Sequence, residues 1–115
     1  MAANVLSTAR ALAGIAAGVE PYEVVHASPG LELGVYVLVA PEPDRQQPHA
    51  DDEIYVVLEG SGTLEVEGEG VPLDVGDAVF VEAGAEHRFT AYERLSVLVI
   101  FARGSRASVE TAPEG

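Results

Sequence analysis

Residues 46–60 read QQPHADDEIYVVLEG, and residues 84–87 read GAEH. In the first stretch, a polar lead-in that carries His49 and Glu53 runs into an uninterrupted apolar segment. Apolar runs rich in Val, Ile and Tyr, bounded by glycine and polar residues, are typical of strands. His87 precedes a second such segment, so the two stretches predict a site built between strands. Imidazole and carboxylate groups are the donors of divalent-metal sites.

Outside these stretches, glycine and proline divide the chain into short strand-like segments. No long helical pattern separates them, which excludes parallel βαβ units and favours an antiparallel sandwich or barrel of eight or nine strands. Pro72 predicts an edge or irregular pairing for its strand, because proline cannot donate to a ladder. The expected strands are 22–27, 31–40, 53–58, 63–67, 71–75, 78–81, 86–91 and 95–102.

The N-terminal segment, residues 1–20, is expected to be helical. Its apolar residues recur at a spacing of three or four, Asn4 is a candidate cap, and Gly18 is a candidate end. The barrel is expected to occupy residues 21–103. The polar segment 104–115 is expected to be a flexible tail. The residues of the helical stripe are Val5, Ala9, Leu12, Ala16 and Val19.

Composition limits the classes of function. The chain has 115 residues, consistent with one domain, and a formal net charge of −13. No basic patch is available for nucleic acid or anionic lipid, and no apolar run is long enough to span a bilayer, so neither partner is expected. The absence of cysteine excludes disulfides and thiol catalysis and is compatible with the cytoplasm, where we expect the protein.

The first stretch resembles the first motif of the cupin superfamily. That motif runs His-x-His, three or four residues, Glu, six residues and Gly. Here Gln47, His49, Glu53 and Gly60 keep the spacing, with Gln47 in place of the first histidine. The resemblance implies an all-β fold, a double-stranded β-helix or jelly-roll barrel with a short N-terminal helix in front of it.

The second stretch resembles the second cupin motif, which runs Gly, five residues, Pro-x-Gly, two residues, His, three residues and Asn. Gly76, Gly84 and His87 keep the spacing, whereas Glu82 stands at the proline position and Ala91 at the asparagine position. The resemblance spans residues 47–91 directly. Because cupins commonly pair through barrel faces, it also implies a homodimer.

If the resemblance holds, His49, Glu53 and His87 form a metal centre, and Gln47 is a fourth, weaker ligand through its amide oxygen. Two imidazoles and a carboxylate suit Fe, Mn, Ni, Co or Zn, so the identity of the divalent transition metal stays open. The ordinary alternatives are a loop histidine, a core histidine and a surface glutamate. An inward glutamate would need a cation, because an unpaired buried carboxylate is costly.

Strand alternation predicts the pocket around this centre. Tyr55 and Val57 share the face of Glu53, and Phe89 shares the face of His87. Tyr55 is therefore a candidate catalytic acid or hydrogen-bond donor, although an aromatic residue packed into the barrel wall is the simpler reading. Two functions are expected: a small metalloenzyme of oxygenase, isomerase or lyase type acting on a small organic substrate, or a non-catalytic module that binds a small ligand or is purely structural.

Overall fold

The computed structural model describes residues 3–103, and the predicted tail lies outside them. Its helix, α1, spans Thr8–Ala17 and ends at Gly18, as predicted. The predicted apolar stripe was wrong: Val5 and Val19 lie outside the helix and are exposed, and the buried residue of the helix is Ala11. The predicted cap was wrong. Ser7 caps the helix, and its Oγ accepts a hydrogen bond of 3.1 Å from the Arg10 backbone N–H. A serine oxygen satisfies one of the free N–H groups of the first turn.

Within residues 3–103, eight strands follow α1, and they form two antiparallel sheets. This confirms the all-β prediction and the strand number, and in these residues no helix lies between the strands. The turns fall at the glycine- and proline-containing segments that separate the apolar runs. The strands are β1 (Tyr22–Ser28), β2 (Leu31–Val39), β3 (Glu53–Gly60), β4 (Gly62–Val66), β5 (Glu69–Leu73), β6 (Ala78–Val81), β7 (His87–Thr90) and β8 (Arg94–Phe101).

The first sheet has the order β1-β2-β8-β3-β6, and the second has the order β5-β4-β7. The strand that contains Pro72 lies at an edge of the second sheet, as predicted, where Pro72 stands opposite Thr63. β3 lies inside the first sheet between β8 and β6. β7 lies at the other edge of the second sheet, so that the two sequence motifs supply strands to different sheets.

The core lies between the two sheets and follows the alternation of side chains along each strand. In β3, Glu53, Tyr55 and Val57 are buried, whereas Ile54 is exposed and Val56 is half-buried. Phe89 in β7 is buried as well. The main core cluster comprises Leu38, Tyr55, Val57, Leu64, Leu73, Val81, Phe89, Leu95, Val97 and Val99.

The outer face of the first sheet is covered only in part. Ala11 of α1 packs with Val35 and Val37 of β2, and this second cluster extends to Leu58 of β3 and Leu98 of β8. The helix thus covers β1 and β2, and this cluster reaches one end of β3. At the other end, Ile54 stands opposite Phe80 of β6, and these side chains are 38% and 59% exposed.

Candidate metal centre

Three side chains from three segments meet at the open end of the barrel. His49 comes from the loop before β3, Glu53 begins β3, and His87 begins β7. One donor atom of each residue lies within 4.8 Å of the other two. Two donors on opposite sides of a first-row ion lie about 4 Å apart, since each bond is about 2.1 Å long. The arrangement is therefore close to what one ion requires.

Backbone contacts hold the two motif segments together. The Gly84 N–H donates to the His49 carbonyl at 2.8 Å, and the Ala83 N–H donates to the Asp52 carboxylate at 2.9 Å. Gly84 has a φ of +82°, a conformation that glycine adopts without strain. The turn before β7 is thus fastened to the loop before β3, which places His87 beside His49 and Glu53.

Glu53 is the residue whose surroundings most clearly suit a cation. Its side chain is 1% exposed, and Oε1 lies 3.0 Å from Nε2 of His87. Among the described residues, Glu53 Oε2 is buried with no hydrogen-bond partner. Burying a carboxylate oxygen without a partner is unfavourable, and a divalent ion would remove that cost. The residues therefore fit a metal of the borderline class that imidazole and carboxylate prefer.

His87 is oriented by its other ring nitrogen. Nδ1 lies 2.7 Å from the Ala85 carbonyl oxygen, which only accepts, so Nδ1 carries a proton. The remaining nitrogen, Nε2, faces Glu53 and Tyr55. Burial lowers the pKa of His87, but hydrogen bonding to Glu53 and Ala85 outweighs it and leaves the pKa above 6.5. Histidines that bind metals typically donate their other ring N–H to a carbonyl oxygen in this way.

His49 is half-buried and has an aromatic neighbour on its far side. Its ring centroid lies 6.0 Å from that of His87 and 5.0 Å from that of Phe101, in an edge-to-face arrangement with Phe101. The Phe101 ring restricts the orientation of the imidazole. His49 thus forms the boundary between the buried pair and solvent.

Tyr55 connects this group to a hydrogen-bond network. Its hydroxyl donates to Gln46 Oε1 at 2.9 Å and lies 3.0 Å from His87 Nε2. Burial, followed by the negative charge of Glu53, raises the pKa of Tyr55 far above its usual range. The phenol therefore keeps its proton at all ordinary pH values. The structure places Tyr55, Val57 and Phe89 together in the barrel core.

Asp44 is the residue that the sequence reasoning missed. It is 6% exposed and accepts four hydrogen bonds: from Tyr36 Oη–H (2.7 Å), from the Gln46 backbone N–H (3.2 Å), from Gln46 Nε2–H (2.7 Å) and from the Phe89 N–H (2.8 Å). These bonds satisfy both oxygens of the carboxylate. They fasten the loop before β3 to β7 at a second point. No periodicity in this proline-punctuated loop distinguishes Asp44 from its polar neighbours.

Gln47 is exposed and lines an outer cavity of about 540 Å³ together with Glu65, Glu67 and His87, so it borders the same space as one of the three donors. Gln46 turns inward instead, because Asp44 binds both its backbone and its side chain. Gln47 as a fourth ligand stays a prediction.

A cavity of about 390 Å³ lies beside one of the three donors, His49, and beside Tyr55. Its size suits a small organic molecule. One wall consists of aromatic rings and Val99. The Tyr22 hydroxyl, which also lines the cavity, donates a hydrogen bond of 3.0 Å to the Glu32 carboxylate. We call it the inner cavity. It is lined by Tyr22, Glu32, Tyr36, Gln46, His49, Asp51, Tyr55, Val99, Phe101 and Arg103.

Comparison with known proteins agrees with this geometry. The cupin domain family matches residues 35–101, which include both motif segments and all three donors. The chain belongs to the cupin family. An uncharacterised protein of Streptomyces coelicolor, SCO3923, is 40% identical over 72 residues, which cover 62% of this chain and 69% of that protein.

Solved cupin structures share the fold. A cupin protein from Bacteroides fragilis has a TM-score of 0.64 at 22% identity, covering 85% of this chain and 84% of that one. An RmlC-like cupin from Methanocaldococcus jannaschii, with a double-stranded β-helix fold, has a TM-score of 0.66 at 16% identity, covering 77% and 84%. The expected cupin barrel is confirmed. At these identities the likeness concerns the fold alone.

The helix of this cupin does not have the length or apolar character that a bilayer-spanning segment requires. This statement covers the part of the chain that the structure describes.

Proposed function

We propose that this cupin binds one divalent transition metal ion through His49, Glu53 and His87, and a small organic molecule in the inner cavity. The observation that carries the proposal is the buried, unpartnered Oε2 of Glu53 beside two imidazoles. A metal ion bound there would act as a Lewis acid toward the oxygen atoms of a ligand. Iron, manganese, nickel, cobalt and zinc all suit the donor set.

The walls of the inner cavity support a ligand with an apolar body and a few oxygen donors. Tyr22 and Phe101 offer ring surfaces, and Arg103 lies at the rim with its Nη1 3.9 Å from Glu32 Oε1. An ion with charge +2 and the Glu53 carboxylate together carry +1, which favours an anionic or enolate-like group at the metal. We propose that the protein acts on such a molecule as a small metalloenzyme of oxygenase, isomerase or lyase type.

Elemental analysis of protein purified without added metal tests the metal centre. We expect about one equivalent of a first-row transition metal in the wild type, or after reconstitution, since the three donors together form a complete set of protein ligands. His49→Ala and His87→Ala should each abolish most of this binding. Gln47→Met tests whether Gln47 is a ligand, and Glu59→Gln, at an exposed position of β3, serves as the control.

A wild-type metal content below about a tenth of an equivalent after reconstitution would contradict the metal centre. Catalysis is tested separately, with a panel of small organic acids, sugars and phenols. Loss of turnover in His87→Ala, with the circular dichroism spectrum unchanged, would support an enzyme.

A second candidate function is ligand binding without turnover. One observation favours it: Tyr55, the predicted catalytic residue, already donates its proton to Gln46 and has a strongly raised pKa. A phenol of this kind is a weak acid for proton transfer. Stoichiometric metal without activity across the panel would select this function.

We also propose that the protein forms a homodimer through the uncovered end of its first sheet. Ile54 and Phe80 lie side by side there and are large, apolar and exposed. Copies that each carry a net charge of −13 can approach most readily at an uncharged surface.

A further inference from the structure

The hydrogen bonds around Tyr55 have a fixed direction. The Asp44 carboxylate only accepts, so the group of Gln46 that lies 2.7 Å from Asp44 Oδ2 must be the amide NH₂. The amide oxygen of Gln46 then faces Tyr55, and at 2.9 Å it can only accept the phenol proton. The chain Asp44–Gln46–Tyr55 therefore directs the Tyr55 proton to Gln46 and not to His87.

This direction limits what Tyr55 can offer to the metal centre. A phenol has one proton and two lone pairs, so the group that faces His87 is the oxygen lone pair. In the absence of metal, a proton on His87 Nε2 can be shared between the Tyr55 oxygen and Glu53 Oε1, which both lie 3.0 Å from that nitrogen. A histidine that binds a metal ion through Nε2 uses that nitrogen's lone pair and has no proton there to donate. The Tyr55 oxygen must then find another donor.

We propose that Tyr55 is a hydrogen-bond acceptor toward the ligand, and that the site therefore selects a molecule that presents an O–H or N–H group, or a water molecule, next to the metal. Gln46 is the positioning residue that sets this preference. The inference gives Tyr55 the role opposite to that of the donor expected from the sequence. The ligand preference rests on the proposed metal centre, whereas the direction of the Tyr55 proton does not.

The proton direction is tested on metal-free protein by NMR of the tyrosine hydroxyl proton. In the wild type, its strongest dipolar contacts should be to the Gln46 side chain. They should disappear in Gln46→Met, which removes the acceptor and preserves length, and should persist in Gln47→Met. A hydroxyl proton that lies against the His87 ring in the wild type would overturn the inference, whether or not the protein binds metal.

The ligand preference is tested with azide, an anion that accepts hydrogen bonds and donates none, on the Co²⁺-loaded protein, followed by visible absorption. In Gln46→Met the phenol proton is free to turn toward azide, which should bind about ten-fold more tightly than in the wild type. Glu59→Gln, at an exposed position of β3, should match the wild type. In Gln46→Met/Tyr55→Phe the gain should vanish.

Tyr55→Phe alone should change the azide affinity in opposite directions, depending on whether Tyr55 is a hydrogen-bond acceptor or a donor toward the ligand. If Tyr55 is an acceptor, the variant should bind azide at least as tightly as the wild type, because a repulsive lone pair is removed. Azide binding weakened about ten-fold would show a donor and overturn the inference. Failure of all variants and of the wild type to bind Co²⁺ would contradict the proposed function, while the NMR result on metal-free protein would still decide the direction of the proton.

Discussion

At the scale of single residues, Glu53 combines two opposed effects on stability. Its carboxylate is buried, with one oxygen beside His87 and the other without a partner. In metal-free protein this arrangement is costly, and a replacement of the same shape without charge can be neutral or stabilising. In metal-bound protein the same oxygens would be ligands. Stability and metal binding should therefore respond in opposite directions when the charge is removed.

We expect Glu53→Gln to leave the melting temperature of metal-free protein unchanged or higher. The stabilisation by metal should be lost: at a metal concentration of 100 times the dissociation constant, the wild type should gain about 2.7 kcal/mol. Thermal unfolding with and without Zn²⁺ measures both effects. Glu59→Gln, at an exposed position of the same strand, is the control. Equal Zn²⁺ stabilisation of Glu53→Gln and wild type would exclude Glu53 as a ligand.

At the scale of elements, β3 depends on a glycine at its end. The register against β8 shifts between Val57 and Glu59, and Gly60 follows with a φ of +78°. A Cβ atom at this position would overlap the Arg94 carbonyl group. Gly68, in the turn between β4 and β5, has a similar φ of +86° but open space around it. Substitution of Gly68 therefore measures backbone strain alone, whereas substitution of Gly60 measures strain together with steric overlap.

We expect Gly68→Ala to lower the free energy of unfolding by about 1 kcal/mol, the cost of a positive φ for a residue with a Cβ. Gly60→Ala should cost more, about 3 kcal/mol or above, because the strand must also move away from Arg94. Urea denaturation of the two variants measures the difference. Equal losses would mean that β3 and β8 can separate at no cost at this point.

The start of α1 allows a similar paired test. Ser7 accepts a backbone hydrogen bond, whereas Asn4 lies outside the helix. Ser7→Ala should lower the free energy of unfolding by about 1 kcal/mol, and Asn4→Ala should change it by less than about 0.5 kcal/mol. Urea denaturation checks both. A larger effect at Asn4 would restore the helix start expected from the sequence.

The number of strands and their positions along the chain could be predicted because period-two alternation and turn residues are local properties of the sequence, and the convergence of the three donors was implied by the resemblance to the cupin motifs. Alternation alone placed Tyr55 and Phe89 beside Glu53 and His87. Asp44 could not be predicted, since its partner in β7 is 45 residues away and is a backbone N–H, which every residue except proline carries. A loop has no side-chain periodicity, so the sequence does not show whether Gln46 or Gln47 faces inward. The hydrogen bonds of Asp44 to Gln46 decide it.

At the scale of the whole molecule, the first sheet presents an apolar patch in an otherwise acidic protein. We expect Phe80→Glu to convert a dimer into a monomer, because it places a charge opposite Ile54 on a surface that two copies would share. Light scattering coupled to size-exclusion chromatography measures the mass. Val75→Glu, at another exposed apolar position, is the control. A monomeric wild type at 0.1 mM would contradict the proposed dimer.

The three donors belong to separate segments that begin strands of different sheets. An ion held by all three would therefore cross-link the two sheets. Amide hydrogens of β3 and β7 would then exchange with solvent deuterium only after the ion has dissociated. Hydrogen exchange in the presence and absence of metal would then measure how often the two strands open locally at the three donors. Slower exchange should be concentrated at these two strands, with little change in α1, which packs on the opposite face of the first sheet.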